Sequence, residues 1–259
     1  MHDFLDILAK DARRTVESGY YETLCRTFEY ELSSLKDKIN KCEGNPVIAE
    51  IKLSSPSIKS IRRDLDVVDT ASAIHKGGAV GISILTEPKN FMGSLRNFQK
   101  VREVTSIPLL MKDFIISQNQ IDAAFRIGAD AILLIQALFD RGYCDSCLDE
   151  MIEYAHSHGI EVLLEAHTEN EFQRATYFDA DLLGINNRDL RTLTVDLHVT
   201  EDILKKQNCP NRIIVSESGI EFPRHIHFLR NAGAKAFLVG TAVMSAHNVK
   251  EKVRELVEA

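Results

Sequence analysis

Four short segments of this chain echo one another: Gly78-Ala79-Val80-Gly81-Ile82, Gly128-Ala129-Asp130-Ala131-Ile132, Asp179-Ala180-Asp181-Leu182-Leu183 and Gly233-Ala234-Lys235-Ala236-Phe237. They recur about every 50 residues, the mark of a structural unit used repeatedly. Each sets a helix stop and a tight turn before an apolar run, which is how a helix hands over to a strand. Midway between them lie four more apolar runs, Val47 to Ile51, Ile107 to Met111, Ile160 to Leu164 and Arg212 to Val215. Eight strands are therefore expected. The runs are continuous rather than alternating, as in strands covered on both faces, and crossover helices fit between them at Val68 to His75, Gln118 to Ile127, Leu148 to His158 and Pro223 to Asn231. An open doubly wound sheet is the alternative, but no Gly-x-Gly-x-x-Gly follows the first strand. The expected fold is α/β: a (β/α)8 TIM barrel over residues 46–259 with an N-terminal helical extension over residues 1–45.

The extension reads as two helical stripes, Phe4, Leu5, Ile7 and Leu8 followed by Leu24, Phe28, Leu32 and Leu35, with a break at Ser18-Gly19-Tyr20-Tyr21 and an end at Asn45-Pro46. Composition narrows the function classes. A formal charge of −7 and a pI near 5.7 argue against a nucleic-acid partner, because binding a phosphate backbone needs a basic face. No apolar run reaches a membrane span and the first residues lack a targeting pattern, so no membrane partner is expected and the cytoplasm is the expected location. Five cysteines, an odd number, do not make a disulfide framework, and Cys144-x-x-Cys147 is a lone pair with no second set, so no metal is expected. His156-x-His158 and His225-x-His227 stand at a spacing that does not share a helix face, and His167 reads as a capping or surface residue.

In a barrel of this kind the site is built at the carboxyl ends of the strands. The first strand ends in Glu50-Ile51-Lys52, two opposite charges on one face of a run that is otherwise apolar. Strand two ends at Ile82-Ser83, strand three at Lys112-Asp113-Phe114, strand five at Glu165, strand six at Asn186-Asn187-Arg188, strand seven at Glu217-Ser218-Gly219 and strand eight at Gly240-Thr241. Any one of the ionisable groups suits a structural ion pair; together at one end they predict that Glu50, Lys52, Lys112, Glu165 and Glu217 meet around one cavity. Close charges push pKa values apart, which suits general acid and base work, and a Schiff-base lysine is an equally physical option. Gly219 and Gly240 let backbone N–H groups approach a phosphate, with Thr241 to Met244 as a short helix facing it.

With those residues in view, the chain resembles the indole-3-glycerol phosphate synthase family from about Val47 to the C-terminus. The likeness is carried by IAEIK and SPS (48–52, 55–57), SILTEPKNFMGS (83–94), LLMKDFIIS (109–117), ADAILLI (129–135), LLEAHTE (163–169), LGINNRDLRT (183–192), VSESGI (215–220) and FLVGTAVM (237–244). It implies a cofactor-free ring closure in tryptophan biosynthesis on a small anionic phosphate substrate, 1-(2-carboxyphenylamino)-1-deoxyribulose 5-phosphate, which loses carbon dioxide and water. By the same resemblance Lys112 is the general acid, Glu165 the base and Lys52 the second lysine, with Glu50, Asn186, Glu217 and Ser218 as polar supports. It further implies that Ser55, Ser83, Phe91, Phe114, Arg188 and Leu238 line the substrate pocket, and that Gly219, Gly240 and Thr241 hold the phosphate. A monomer is expected over an oligomer, with association with other tryptophan-pathway enzymes left open. Two departures stand out: Ser57 is followed by Ile58-Lys59-Ser60 where the family reads SPSxG, and residues 1–45, which in the family pack over the barrel mouth, match only loosely.

Overall fold

The computed structural model describes residues 3–23, 30–52, 66–207 and 209–259. The chain enters through α1 (Phe4–Glu17), whose start is set by a reciprocal cap: the Asp3 carboxylate accepts from the Asp6 N–H, and that of Asp6 from the Asp3 N–H. A 3-10 turn (Tyr20–Glu22) and α2 (Leu35–Asn40) follow. Strand and helix then alternate through β1 (Val47–Ile51), α3 (Val67–Lys76), β2 (Gly81–Leu85), α4 (Leu95–Arg102), β3 (Leu109–Lys112), α5 (Gln118–Ile127) and β4 (Ala131–Ile135). The second half runs α6 (Gln136–Asp140), α7 (Leu148–Ser157), β5 (Glu161–Ala166), α8 (Glu169–Ala175), β6 (Leu182–Asn186), α9 (His198–Lys206), β7 (Ile214–Glu217), α10 (Pro223–Ala232), β8 (Ala236–Val239), α11 (Thr241–Ser245) and α12 (Val249–Val257).

Every strand pairs in parallel with its sequence neighbour, and β8 returns to β1 through Val47↔Phe237, Ile48↔Leu238 and Ala49↔Val239. That last ladder closes the sheet and excludes the open alternative. Gly128 and Gly233 end α5 and α10 in the left-handed region, at φ 85° and 114°, which is why those two echoes open on glycine. Strand two runs on to Leu85, two residues past its expected end, because Ile84 and Leu85 stay paired with Met111 and Lys112.

Alternate residues of each strand face two separate cores. Val47, Ala49, Ile51, Ile82, Leu109 and Met111 pack outward into the shell of helices. Ile48, Leu110, Leu133, Leu163, Leu182, Val215, Ala236 and Leu238 fill the barrel interior. Burying each large aliphatic side chain stabilises the fold by about 1.5–3 kcal/mol, whereas a buried charge without a partner costs several kcal/mol. The inward face is therefore apolar until it reaches the carboxyl ends.

The N-terminal segment reaches both ends of the barrel. Leu5, Leu8, Ala9 and Ala12 of α1 join the interior cluster with Phe114, Ile135 and Leu138, at the carboxyl ends of the strands. At the opposite end the Glu161 carboxylate, at the head of β5, accepts from the N–H groups of Leu35 (2.8 Å) and Lys36 (3.1 Å) and from the Ser34 hydroxyl, anchoring α2 there. Because Ser34 and Glu161 satisfy the first turn of α2, the helix starts only at Leu35. The expected second stripe is corrected accordingly: Leu32 precedes the helix and is 41% exposed, while Leu24 and Phe28 lie outside the described residues. Ile7 is 47% exposed, so the buried face of α1 is Leu5, Leu8, Ala9 and Ala12 instead.

Candidate active site

Four odd-numbered strands each send one ionisable side chain into a single layer of the barrel interior: Glu50 from β1, Lys112 from β3, Glu165 from β5 and Glu217 from β7. The ladder explains why they are level. From Glu50 it runs through Ser83 to Leu110, and from Glu165 through Gly184 to Val215. In both cases the tilt of the strands brings the residue two further on, Lys112 or Glu217, to the same height. Lys112 Nζ lies 2.6 Å from Glu217 Oε2 and 3.4 Å from Glu165 Oε2. Burial opposes the charge on Lys112, but the carboxylates of Glu217, Glu165 and Glu50 outweigh it, so its pKa is raised and it stays an ammonium. Glu217 is buried most deeply; burial, helped by Glu165 and Glu50, pushes its carboxyl up to about 8 against the pull of Lys112. Glu50 goes the other way: burial is outweighed by Lys52, whose Nζ is 2.8 Å from Oε1, and by Lys112, so its pKa is lowered.

Above this layer opens a cavity of ≈ 550 Å³. Glu50, Lys52, Lys112, Glu165, Asn186 and Arg188 form its polar wall, and Phe91, Phe114, Leu133 and Leu238 its apolar wall. Asn186 organises the β6 side: its Nδ2 donates to Glu165 Oε1 at 3.0 Å, its Oδ1 accepts from the Arg188 N–H at 3.0 Å, and its carbonyl accepts from His167 Nδ1 at 2.7 Å. Arg188 donates to the Leu193 carbonyl at 2.9 Å, and burial lowers its pKa against the field of Glu50. Past β7 the chain turns through two left-handed residues, Ser218 (φ 68°) and Gly219 (φ 80°), which bring Ser218 to Glu221 onto the cavity wall. Gly240 and Thr241 line the same side at the start of α11. A Cβ on Gly240 would stand 2.4 Å from Glu50 Oε1 and 3.0 Å from Lys52 Nζ, so its missing side chain makes room for that ion pair.

The aromatic side is built by a loop. The Glu87 carboxylate, 1% exposed, accepts from the backbone N–H groups of Lys89 (2.9 Å), Asn90 (2.6 Å) and Phe91 (3.0 Å), which places the Phe91 ring 5.8 Å from that of Phe114. Phe4 completes this wall from α1. The helix is clasped over the opening at both ends: Arg141 bonds Asp3 (2.9 Å) and Asp6 (2.8 Å), Arg13 bonds Asp145 (2.7 Å), and Asp11 pairs with Lys89.

Two expected pocket residues stand elsewhere. Ser83 is wholly buried beside Glu50 and does not line the cavity, because β2 continues past it and presents Leu85 instead. Glu217 also has no exposure and lies under Lys112, so it meets the other charges without meeting the cavity. Ser55 and the Ser57 to Ser60 departure fall outside the described residues. Sequence reasoning did not assign Glu87, which shapes the aromatic loop, or His225 and Asp113, which line the cavity, to the site. Asp113 accepts from Tyr21 Oη (2.9 Å), Thr86 Oγ1 (2.6 Å) and the Phe114 N–H (2.8 Å), and burial pushes its carboxyl up to about 7. The signal was available: an acid directly after Lys112 occupies the strand face that should be apolar. Among the described residues no group of three His, Cys, Asp or Glu side chains is placed to hold a metal ion, and burial pushes the Cys144 thiol up to about 12. No helix among them is long and apolar enough to cross a membrane.

The indole-3-glycerol phosphate synthase family profile matches residues 7–256. Similar curated proteins include the indole-3-glycerol phosphate synthase of Methanocaldococcus jannaschii, 44% identical over 82% of this chain and 78% of that protein. The indole-3-glycerol phosphate synthase of Bacillus cereus is 37% identical over 96% of both chains. Among solved structures, thiamine phosphate pyrophosphorylase from Pyrococcus furiosus aligns with a TM-score of 0.61 at 19% identity, covering 86% of this chain and 96% of that one. The N-acetylmannosamine-6-phosphate 2-epimerase of Clostridium perfringens aligns at 0.59 and 15% identity, over 83% and 93% of the two chains. At those identities the two structures speak to the barrel fold alone.

Proposed function

The chain belongs to the indole-3-glycerol phosphate synthase family, carboxy-lyases of tryptophan biosynthesis, and from that premise we propose that its cavity closes the ring of 1-(2-carboxyphenylamino)-1-deoxyribulose 5-phosphate, with Lys112 as general acid and Glu165 as general base. The observation that carries the assignment is the Lys112 ammonium, reaching the cavity while held between Glu165 and Glu217. A carbonyl oxygen that becomes an alkoxide needs a proton and a positive charge where the charge develops, and a preorganised ammonium supplies both.

In the proposed sequence the aromatic carbon bearing the carboxylate attacks the ribulose ketone carbon, and Lys112 delivers its proton to the ketone oxygen. Carbon dioxide then leaves and the benzene ring regains aromaticity. The new hydroxyl departs as water, protonated with the help of Lys52, while Glu165 takes a proton from the neighbouring methylene carbon. The apolar wall of Phe91, Phe114 and Leu238 suits the anthranilate ring. Lys52 and Arg188 supply positive charge for the two anionic groups, and the turns at Ser218-Gly219 and Gly240-Thr241 suit the phosphate. The reading takes residues 1–45 as an extension to a catalytic barrel of residues 46–259.

A lysine held as an ammonium is a poor nucleophile, which speaks for proton transfer over a Schiff base. Incubation with the carboxyphenylamino substrate, followed by the rise of indole fluorescence, tests the reading directly. Absence of an indole product, or a borohydride-trapped substrate adduct on Lys112 or Lys52, overturns it.

A further inference from the structure

Gly184 lies in the middle of β6, paired with Glu165 of β5 on one side and Val215 of β7 on the other. It faces inward between the strands that carry Glu165 and Glu217. A Cβ built on it would stand 2.4 Å from Glu217 Oε1, 3.3 Å from Glu165 Cα and 3.4 Å from Leu163 Cδ1. The first distance lies far inside van der Waals contact. Glu217 has no exposure, and its other oxygen is engaged by Lys112 at 2.6 Å, so a carboxylate that gives way to a methyl group changes its contact with that lysine. Nor does the backbone call for glycine here: Gly184 is absent from the residues with positive φ and sits in regular strand. What the position requires is empty space.

We infer that Gly184 is a positioning residue for the reaction: by giving up its side chain it lets the Glu217 carboxylate lie in the layer beneath Lys112 and so fixes the Lys112 ammonium against the cavity. This rests on the acid role proposed for Lys112. A methyl group at 184 forces the Glu217 carboxylate to shift, disturbs the ammonium paired with it and changes the field in which that lysine titrates.

The experiment compares Gly184→Ala, Glu217→Ala and the double variant with the parent enzyme, by thermal unfolding and by steady-state turnover across pH. For Gly184→Ala the expected result is a loss of about 10²-fold in kcat with KM little changed and a displaced pH profile. A purely structural glycine lowers the amount of folded enzyme and leaves that profile where it was. The melting temperature should drop by about 5 °C in Gly184→Ala, yet hardly respond to the same change once Glu217→Ala has cleared the space. Wild-type kcat and pH profile in Gly184→Ala, or an equal melting loss in both backgrounds, overturns the inference. Should Gly184→Ala not fold, the double variant decides: recovery of folding supports the steric coupling, and continued failure overturns it. The melting comparison needs no substrate, so its failure is distinct from a failure of the acid assignment, which Lys112→Ala reads.

Discussion

Glu217 lies directly beneath Lys112, with Oε2 2.6 Å from Nζ, and touches no part of the cavity that the lysine enters. The lysine of the cavity wall is thus held from below by a carboxylate that does not line the cavity. The second carboxylate, Glu165, is 3.4 Å from the same nitrogen and does face the cavity. Of the two carboxylates that hold Lys112 in one layer, Glu165 alone lines the cavity.

Replacing Lys112 with alanine removes the proposed proton donor and leaves Glu165 and Glu217 without their shared cation. The expected outcome is a fall in kcat of about 10³-fold or more, combining lost proton transfer with lost positioning. Continuous indole fluorescence measures it, and turnover within tenfold of the parent, about 1.4 kcal/mol of barrier, contradicts the role.

Burial pushes the Glu217 carboxyl up to about 8, from an ordinary value of 4.5. A carboxyl whose folded pKa is raised contributes stability that is fully present below the unfolded value and is lost as pH climbs through the folded one. The melting temperature should therefore decline as pH rises from about 5 to 9, and Glu217→Gln, which cannot ionise, should flatten that decline. Equal slopes for the two proteins would rule the assignment out.

Asn186 gives the Glu165 carboxylate a 3.0 Å hydrogen bond and receives one from the Arg188 backbone. A hydrogen bond to a charged group is worth about 1.5–3 kcal/mol, so Asn186→Ala should lower kcat/KM by about 10- to 100-fold. Asn186→Asp should do worse, because it sets a second negative charge against Glu165. If the aspartate variant matches the parent, the orienting role is wrong.

Arg141 ties Asp3 and Asp6 at the start of α1, and its hydrogen bond holds the Asp3 carboxyl below the usual carboxylate range. The clasp is partly exposed, so each pair contributes about 1 kcal/mol at most and is screened by salt. Arg141→Ala should loosen the helix that carries Phe4 onto the cavity, raising KM several-fold and leaving kcat nearly intact. The salt dependence of KM should also be shallower in the variant; identical salt curves would separate α1 from substrate binding.

Much of the site was written along the chain. The alternation of apolar runs and helix stops located the eight strands, and the two-residue phase of a strand put Glu50 and Lys52 on one face before any contact was known. Individual strand ends, Lys112, Glu165, Asn186 and Arg188 among them, could be read as the cavity wall for the same reason. Ser83 was misplaced because nothing local marks where β2 stops; that depends on its ladder with β3.

By itself, the sequence determined the number of strands, their inward faces and the end at which charge gathers, since each follows from periodicity within one segment. Only the tertiary structure decided which charges stand level, that Glu217 goes under Lys112 while Glu165 faces outward to the cavity, and that α1 and α2 close opposite ends. Those outcomes depend on the offset between neighbouring strands and on the space left by Gly184 and Gly240, and an offset between strands is a property of the closed barrel that no single stretch of chain contains.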